Sequence, residues 1–362
     1  MIQDSFLKSF RETKSPFITN PYRFAGAAAA GGWVELGRTT LGSTADIITV
    51  SSLPDKRYYM YLLDCQSSGG VANLFRLGSG SVDTGSNYAV RRSYNGGTDA
   101  THANATYCNF QWNDGSENSF SIGNISNLAS KEKLFTAQCV RGSTAGAGNA
   151  PKRSEGVGKW TNTSNPLDIV STYNIDTGNF AAGAEIVVLG WDPADTHTSN
   201  FWEELLDETI TSTTAHTTST FTTKKYLWIQ IYCKGKSSAD TFRLEFGNAT
   251  VDTGTNYSVR HNYNGTTESA NTSTDHWNME GANTSDPSFH NIFMINNASN
   301  EKLGIMHNVQ QSTAGAGTAP NRREQVAKWT NTSNQINIMK MYTTGGSSTI
   351  DTGSRIKVWG AN

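Results

Sequence analysis

Long apolar runs are missing from this 362-residue chain. No stretch approaches the roughly 20 apolar residues that a membrane-crossing helix needs, so no helical membrane insertion is expected. The first 30 residues carry charges where a signal peptide would place its apolar core, so the chain is expected to be made in the cytoplasm without a secretion signal. Charge of one sign is also lacking. Lysine plus arginine (29) nearly cancels aspartate plus glutamate (31), which leaves no field to recruit nucleic acid or an anionic membrane. Cysteine is scarce: Cys65, Cys108, Cys139 and Cys233 form no CxxC pair and no zinc spacing, and two of them fall in strand-like runs, so buried free thiols are expected. The seven histidines show no metal-ligand spacing. The Gly-rich STAGAG runs lack the Lys-Ser/Thr that would hold a phosphate. No metal site and no cofactor are expected.

Glycine, serine, threonine and asparagine fill the chain instead, a composition suited to strands joined by tight turns, and their order repeats. Trp33 with Glu35-Leu36 returns 169 residues later as Trp202 with Glu204-Leu205. The same offset carries Val82-Asp83-Thr84-Gly85 onto Val251-Asp252-Thr253-Gly254 and Tyr94-Asn95-Gly96 onto Tyr263-Asn264-Gly265. It also carries Ser143 to Gly148 (STAGAG) onto Ser312 to Gly317, and the run from Lys159 to Asn165 (KWTNTSN) onto Lys328 to Asn334. A period this long is a duplicated domain, since solenoid repeats run to only about 20 to 50 residues. The divisions are an arm with an Ala/Gly spacer at 1–32, a first repeat at 33–190, a polar linker at 191–201 and a second repeat at 202–362.

Within the repeats the apolar pattern has period 2. Leu227, Ile229, Ile231 and Cys233 alternate with Tyr226, Trp228, Gln230 and Tyr232, which predicts a strand with one buried face, and Tyr59, Tyr61, Leu63 and Cys65 give its counterpart. Ile186 and Val188 match Ile356 and Val358, with Glu185, Arg355 and Lys357 expected to face water. Asn95-Gly96 and Asn264-Gly265 predict type I′ hairpin turns, because Asn-Gly tolerates the positive φ that such turns demand. Trp202 to Ile210 has a helical look, but its counterpart Trp33 to Leu41 holds a glycine and paired threonines, so both read as strands. No segment reads as a long helix. The predicted fold class is all-β: two tandem antiparallel β-sandwich domains, jelly-roll-like in pattern.

One motif suggests chemistry. Asp83-Thr84-Gly85-Ser86 and Asp252-Thr253-Gly254-Thr255 match the DTGS and DTGT loops of pepsin-like aspartic proteases, in which two carboxylates share a proton and activate water. Asp-Thr-Gly occurs twice more, at Asp176 to Gly178 and Asp351 to Gly353, which marks it as a turn of this domain. Each loop also runs into Asn-Tyr-x-Val-Arg and a hairpin instead of an apolar strand. The favoured reading makes Asp83, Gly85, Asn95, Gly96, Asp252, Gly254, Asn264 and Gly265 structural turn residues, with no catalytic residues. Tyr88, Tyr94, Tyr257 and Tyr263 are candidates for sugar contacts by residue type and for cross-strand packing by context.

Phe75-Arg76-Leu77 or Phe242-Arg243-Leu244, then Asp-Thr-Gly-x-Asn-Tyr, an Asn-Gly turn and Lys-Trp-Thr-Asn-Thr-Ser-Asn resemble a β-sandwich module of structural proteins from marine tailed phages and related viruses. The resemblance covers both copies. It implies a non-enzymatic virion protein of fibre, spike or decoration type, partnered by other virion proteins and homo-oligomeric, with three-fold symmetry expected from the resemblance alone. A host-surface glycan is a further expected partner. In the arm, Phe6, Phe10, Phe17, Tyr22 and Phe24 stand among charges, a composition suited to docking on a neighbour in the particle. The rival readings are a cellular surface filament or carbohydrate-binding adhesin, and, below it, an aspartic protease using Asp83 and Asp252.

Overall fold

The computed structural model describes residues 29–30 and 32–362, except 111–116, 198, 267 and 281–283. The arm aromatics Phe6, Phe10, Phe17, Tyr22 and Phe24 lie outside the described residues. Among the described residues every regular element is a strand, and the strands form two sandwiches of the same topology.

The larger sheet of repeat 1 has eight strands in the order Val34–Thr40, Glu185–Trp191, Tyr58–Cys65, Ser119–Ser126, Lys133–Arg141, Lys152–Trp160, Tyr88–Tyr94 and Ala100–Ala105. Its smaller sheet orders Ile47–Val50, Ile169–Tyr173, Leu74–Ser79 and Ser81–Val82, with Cys108–Asn109 added beside Leu74–Ser79. Repeat 2 reproduces both. Glu203–Ile210, Ser354–Ala361, Tyr226–Cys233, Ser288–Ile295, Lys302–Gln310, Asn321–Trp329, Tyr257–Tyr263 and Ser269–Thr274 form the larger sheet. Ala215–Thr217, Ile338–Thr343, Phe242–Asn248, Thr250–Val251 and Trp277–Asn278 form the smaller one. All ladders are antiparallel. The helical-looking Glu203–Ile210 is a strand because it pairs along its length with Ser354–Ala361; ladder hydrogen bonds there override a weak local propensity.

Each sandwich buries its own core between its two sheets. Tyr59, Tyr61, Leu63 and Cys65 face the core of repeat 1, and Leu227, Ile229, Ile231 and Cys233 that of repeat 2. All four cysteines are buried and free.

A third core lies between the repeats, where the outer faces of the two larger sheets meet. Met60, Leu62, Phe120, Ile122, Val187 and Leu189 of repeat 1 pack there on residues of repeat 2 that include Tyr226, Leu303, Ile305 and Val326. This contact corrects two expectations. Tyr226, on the face assigned to water, is fully buried, and Glu185 is buried to within a few per cent. The Glu185 carboxylate accepts from Lys225 Nζ at 3.0 Å and the Tyr226 hydroxyl at 2.8 Å, both from the other repeat, and from Thr40 of its own. Burial raises its pKa, but those three donors together outweigh burial and hold it below the usual carboxylate range. Glu185 is thus a buried anchor that a period-2 pattern within one repeat could not reveal.

The chain between the repeats is tied down as well. Ala29–Ala30 pairs with Thr196–His197, and Lys56 pairs with Asp195.

Candidate contact surface

The recurring Asp-Thr-Gly words build the turns that close each sandwich. Asp83 Oδ2 accepts from the Trp160 indole at 2.7 Å, Oδ1 accepts from the Gly85 N–H at 2.8 Å, and the Asn87 amide donates to both oxygens. Repeat 2 copies this arrangement: Asp252 accepts from the Trp329 indole at 2.7 Å and the Gly254 N–H at 2.9 Å, with Asn256 in place of Asn87. Although burial pushes the Asp83 carboxyl up, the indole, the Gly85 N–H and the Asn87 amide together hold it below the ordinary range. Among the described residues the hydrogen-bond partners of each aspartate come from its own repeat. The shared-proton dyad of an aspartic protease is therefore not assembled.

Tyr88 and Tyr257 are buried, and each hydroxyl accepts from a backbone N–H of the smaller sheet, Leu77 or Phe246, at 3.0 Å. They pack as core residues; Tyr94 and Tyr263 remain half-buried at the hairpin ends. Asn95 and Gly96 have φ of 47° and 67°, and Asn264 and Gly265 have 51° and 72°, the left-handed pair that a two-residue hairpin turn requires. These residues set backbone direction.

The surface with binding character is elsewhere. On the outer face of the larger sheet of repeat 1, Trp33, Tyr58, Leu134, Val157 and Trp191 line a groove of about 900 Å³. The Tyr58 and Trp191 rings stack, with centroids 5.3 Å apart. Strand pleating puts Leu134 and Val157 on this face, opposite the core residues Phe135 and Trp160. Leu134 is 56% exposed, Val157 51% and Tyr58 39%. Their counterparts in repeat 2, Leu303, Val326 and Tyr226, are at most 1% exposed, because repeat 1 covers them. One apolar surface is thus present twice, covered once and open once. An open cluster of large apolar side chains is characteristic of a contact site.

Where the outer faces cross, one group among the described residues has donor atoms close enough for a metal: Glu155, His307 and Glu324, all within 4.8 Å of one another. The Arg153 guanidinium already supplies the cation. Its Nη1 lies 3.1 Å from Glu155 and 2.9 Å from Glu324, and its Nη2 lies 2.9 Å from Glu268. His307 Nε2 lies 2.6 Å from the Gln138 amide, its equivalent 169 residues earlier. This group is an ionic seam between the repeats.

No protein-family model and no curated protein matches the chain. Among solved structures, the LG1-3 region of the laminin alpha2 chain is similar at 9% identity over 87% of this chain and 64% of that one, with a TM-score of 0.21. The chain therefore spans less than two thirds of that structure. Domains LG4-5 of the mouse laminin alpha1 chain are similar at 11% identity over 91% of each chain, with a TM-score of 0.19. At these scores neither likeness extends to function.

Sequence reasoning missed Trp33, Tyr58 and Trp191 as surface residues. The available signal was a tryptophan or tyrosine at the end of three strands that adjoin in one sheet, but the adjacency is a fact of topology.

Proposed function

We propose that the chain is a non-enzymatic structural protein of a virus particle, of decoration, spike or tail and fibre type, that works through the outer faces of its larger sheets. The observation that carries this reading is the open apolar face of repeat 1, whose counterpart in repeat 2 is covered by protein. The aspartates that resembled reacting groups support it, since each is engaged by a tryptophan and a turn of its own sandwich. The phage-module resemblance of the recurring words supplies the setting, and the arm at 1–32 supplies a segment for docking on other virion proteins.

Mass spectrometry of purified particles from the producing cells tests this. Peptides of this chain should be found at a copy number comparable to other structural components. A chain confined to the soluble fraction would contradict the proposal.

A second reading is favoured by one observation. The stacked Tyr58 and Trp191 rings beside Trp33 form an aromatic platform of the type on which sugar rings pack, which suits a glycan-binding adhesin or host-surface contact. Glycan-array binding lost on Trp191→Ala would support it, and an array with no binding would remove it.

A further inference from the structure

The contact between the repeats is not reciprocated. The STAGAG loop of repeat 1 crosses to repeat 2: Lys328 Nζ donates to Gly142 O at 3.1 Å and Thr144 O at 2.8 Å, and Glu301 accepts from the Gly146 N–H at 2.6 Å. Ser258 Oγ donates to Ala147 O at 2.6 Å, the Ser273 N–H to the same oxygen at 2.8 Å, and Arg260 Nε to Pro151 O at 2.7 Å. The identical loop of repeat 2, Ser312 to Gly317, touches no such receptor among the described residues and is exposed from Thr313 to Pro320.

The receptor also exists twice. Lys159 and Glu132 are the repeat 1 counterparts of Lys328 and Glu301 and form the same ion pair, at 2.9 Å against 3.2 Å. The Lys159 side chain is 43% exposed, whereas that of Lys328 is fully buried beneath the loop. The backbone is preformed, since Asn104 has φ of 52° where its counterpart Ser273 has 50°. On the side that carries the loop, Phe120 and Val140 are buried by the contact, while their counterparts Phe289 and Val309 are exposed. Among the described residues nine large apolar side chains are exposed, and six lie on these two unmatched surfaces: Tyr58, Leu134 and Val157 on one, Tyr232, Phe289 and Val309 on the other.

A contact that uses different surfaces on its two partners leaves one of each kind free, and the free loop side keeps an apolar part at Phe289 and Val309, while Gln230, Asn291 and Lys357 replace Leu62, Ile122 and Val187. Resting on the reading of the chain as a contact protein, we infer that its partner at the open face is a second copy of itself: the Ser312 to Gly317 loop and the Phe289/Val309 surface of one copy dock on the Leu134/Val157 face and the Lys159–Glu132 pair of the next. Repetition gives a head-to-tail ring or filament. The ionic corner around Lys225 is not repeated, because Tyr232 and Arg355 replace Asp64 and Glu185. The joint between copies is therefore weaker than the one within the chain, and its assembly depends on concentration.

Sedimentation velocity on the full chain tests this, with Val157→Arg closing the receptor and Val309→Arg closing the loop side. Both positions are exposed, so neither change disturbs a core. The full chain should sediment faster as concentration rises, and each variant should associate at least about tenfold more weakly. An equimolar mixture of the variants should form a one-to-one dimer that grows no further, because each variant retains the surface the other lacks. A chain monomeric at every concentration, unaffected variants, or a mixture without the dimer would overturn the inference. So would association seen only after removal of residues 1–28, which would assign the face to the chain's own arm. A monomeric chain still found in purified particles would sink self-docking alone and leave the proposed function standing.

Discussion

The two repeats share strands, turns and the Asp-Trp anchor, yet their interiors differ. In repeat 1 the positions at the end of the larger sheet hold small groups, Ser121, Cys139, Ser154 and Gly156. The same places in repeat 2 hold His290, Asn308, Arg323 and Gln325. Beside them Lys236 and Glu280 form an ion pair at 2.6 Å with both side chains wholly buried, and Ser288 donates to Glu280 at 2.6 Å. The two copies therefore share a frame, while at these positions repeat 2 carries a buried polar network and repeat 1 does not. A frame held by turns and ladders tolerates this divergence where buried polar groups find partners, as Arg323 Nε does on Gln325 and Arg323 Nη1 on the Glu280 carbonyl, although Arg323 Nη2 and Gln325 Nε2 are left without one among the described residues.

The largest effect should come from breaking that network. Glu280→Ala leaves Lys236 buried without its counterion and should destabilise repeat 2 by about 3–5 kcal/mol. Cys139→Ala, at a position from the small-residue end of repeat 1, should cost about 1 kcal/mol. Chemical denaturation of the two variants compares them directly, and similar losses would show that the difference between the interiors carries no energy.

Acid should sharpen the same contrast. Burial lowers the pKa of His290 from 6.5 to about 3, assisted by Lys236 and Arg323, and that of His261 to about 4, assisted by Arg323 and Arg153. A histidine whose folded pKa is depressed binds fewer protons folded than unfolded. Its stability contribution is therefore complete above pH 6.5 and is lost as the pH falls toward 3 to 4. Repeat 1 buries no histidine among the described residues. Hydrogen exchange at pH 4.5 should thus open repeat 2 first, by a few kcal/mol relative to pH 7. Equal loss of protection in the two repeats would break the comparison.

The outer faces give a smaller contrast. Leu303→Ala removes a side chain buried between the repeats and should cost about 2–3 kcal/mol, whereas Leu134→Ala, at the exposed counterpart, should change stability by less than about 0.5 kcal/mol. Smallest and most even are the anchors. Asp83→Asn and Asp252→Asn should each cost about 1–2 kcal/mol through the weakened bond to the indole, with no enzymatic consequence. Acid-dependent peptide cleavage abolished by either change would restore the protease reading.

Much of this architecture was legible in the chain. The Asn-Gly turns, the alternation from Tyr226 to Cys233 and the closing strands at Ile186 and Ile356 follow from local chemistry, and the 169-residue offset exposed the duplication. The joint between repeats was not legible, because nothing in a period-2 pattern says which outer face another domain will cover. Glu185 shows the failure most clearly: a glutamate between apolar residues reads as solvent-facing until Lys225 and Tyr226 of the other repeat are brought over it. A faint signal existed in the run from Tyr58 to Leu63, apolar at consecutive positions, since a strand apolar on both faces is covered on both. The open groove left less trace, as its aromatic residues come from Trp33, Tyr58 and Trp191, far apart in sequence.

Hydroxyl-radical footprinting of the full chain at high dilution tests the central claim most directly, because it reads both copies of one surface in one molecule. Tyr58, Leu134 and Val157 should label strongly while Tyr226, Leu303 and Val326 stay protected, and raising the concentration should shield the first three together with Phe289 and Val309. Equal labelling of the two sets at high dilution would show the contact to be symmetric and contradict the account.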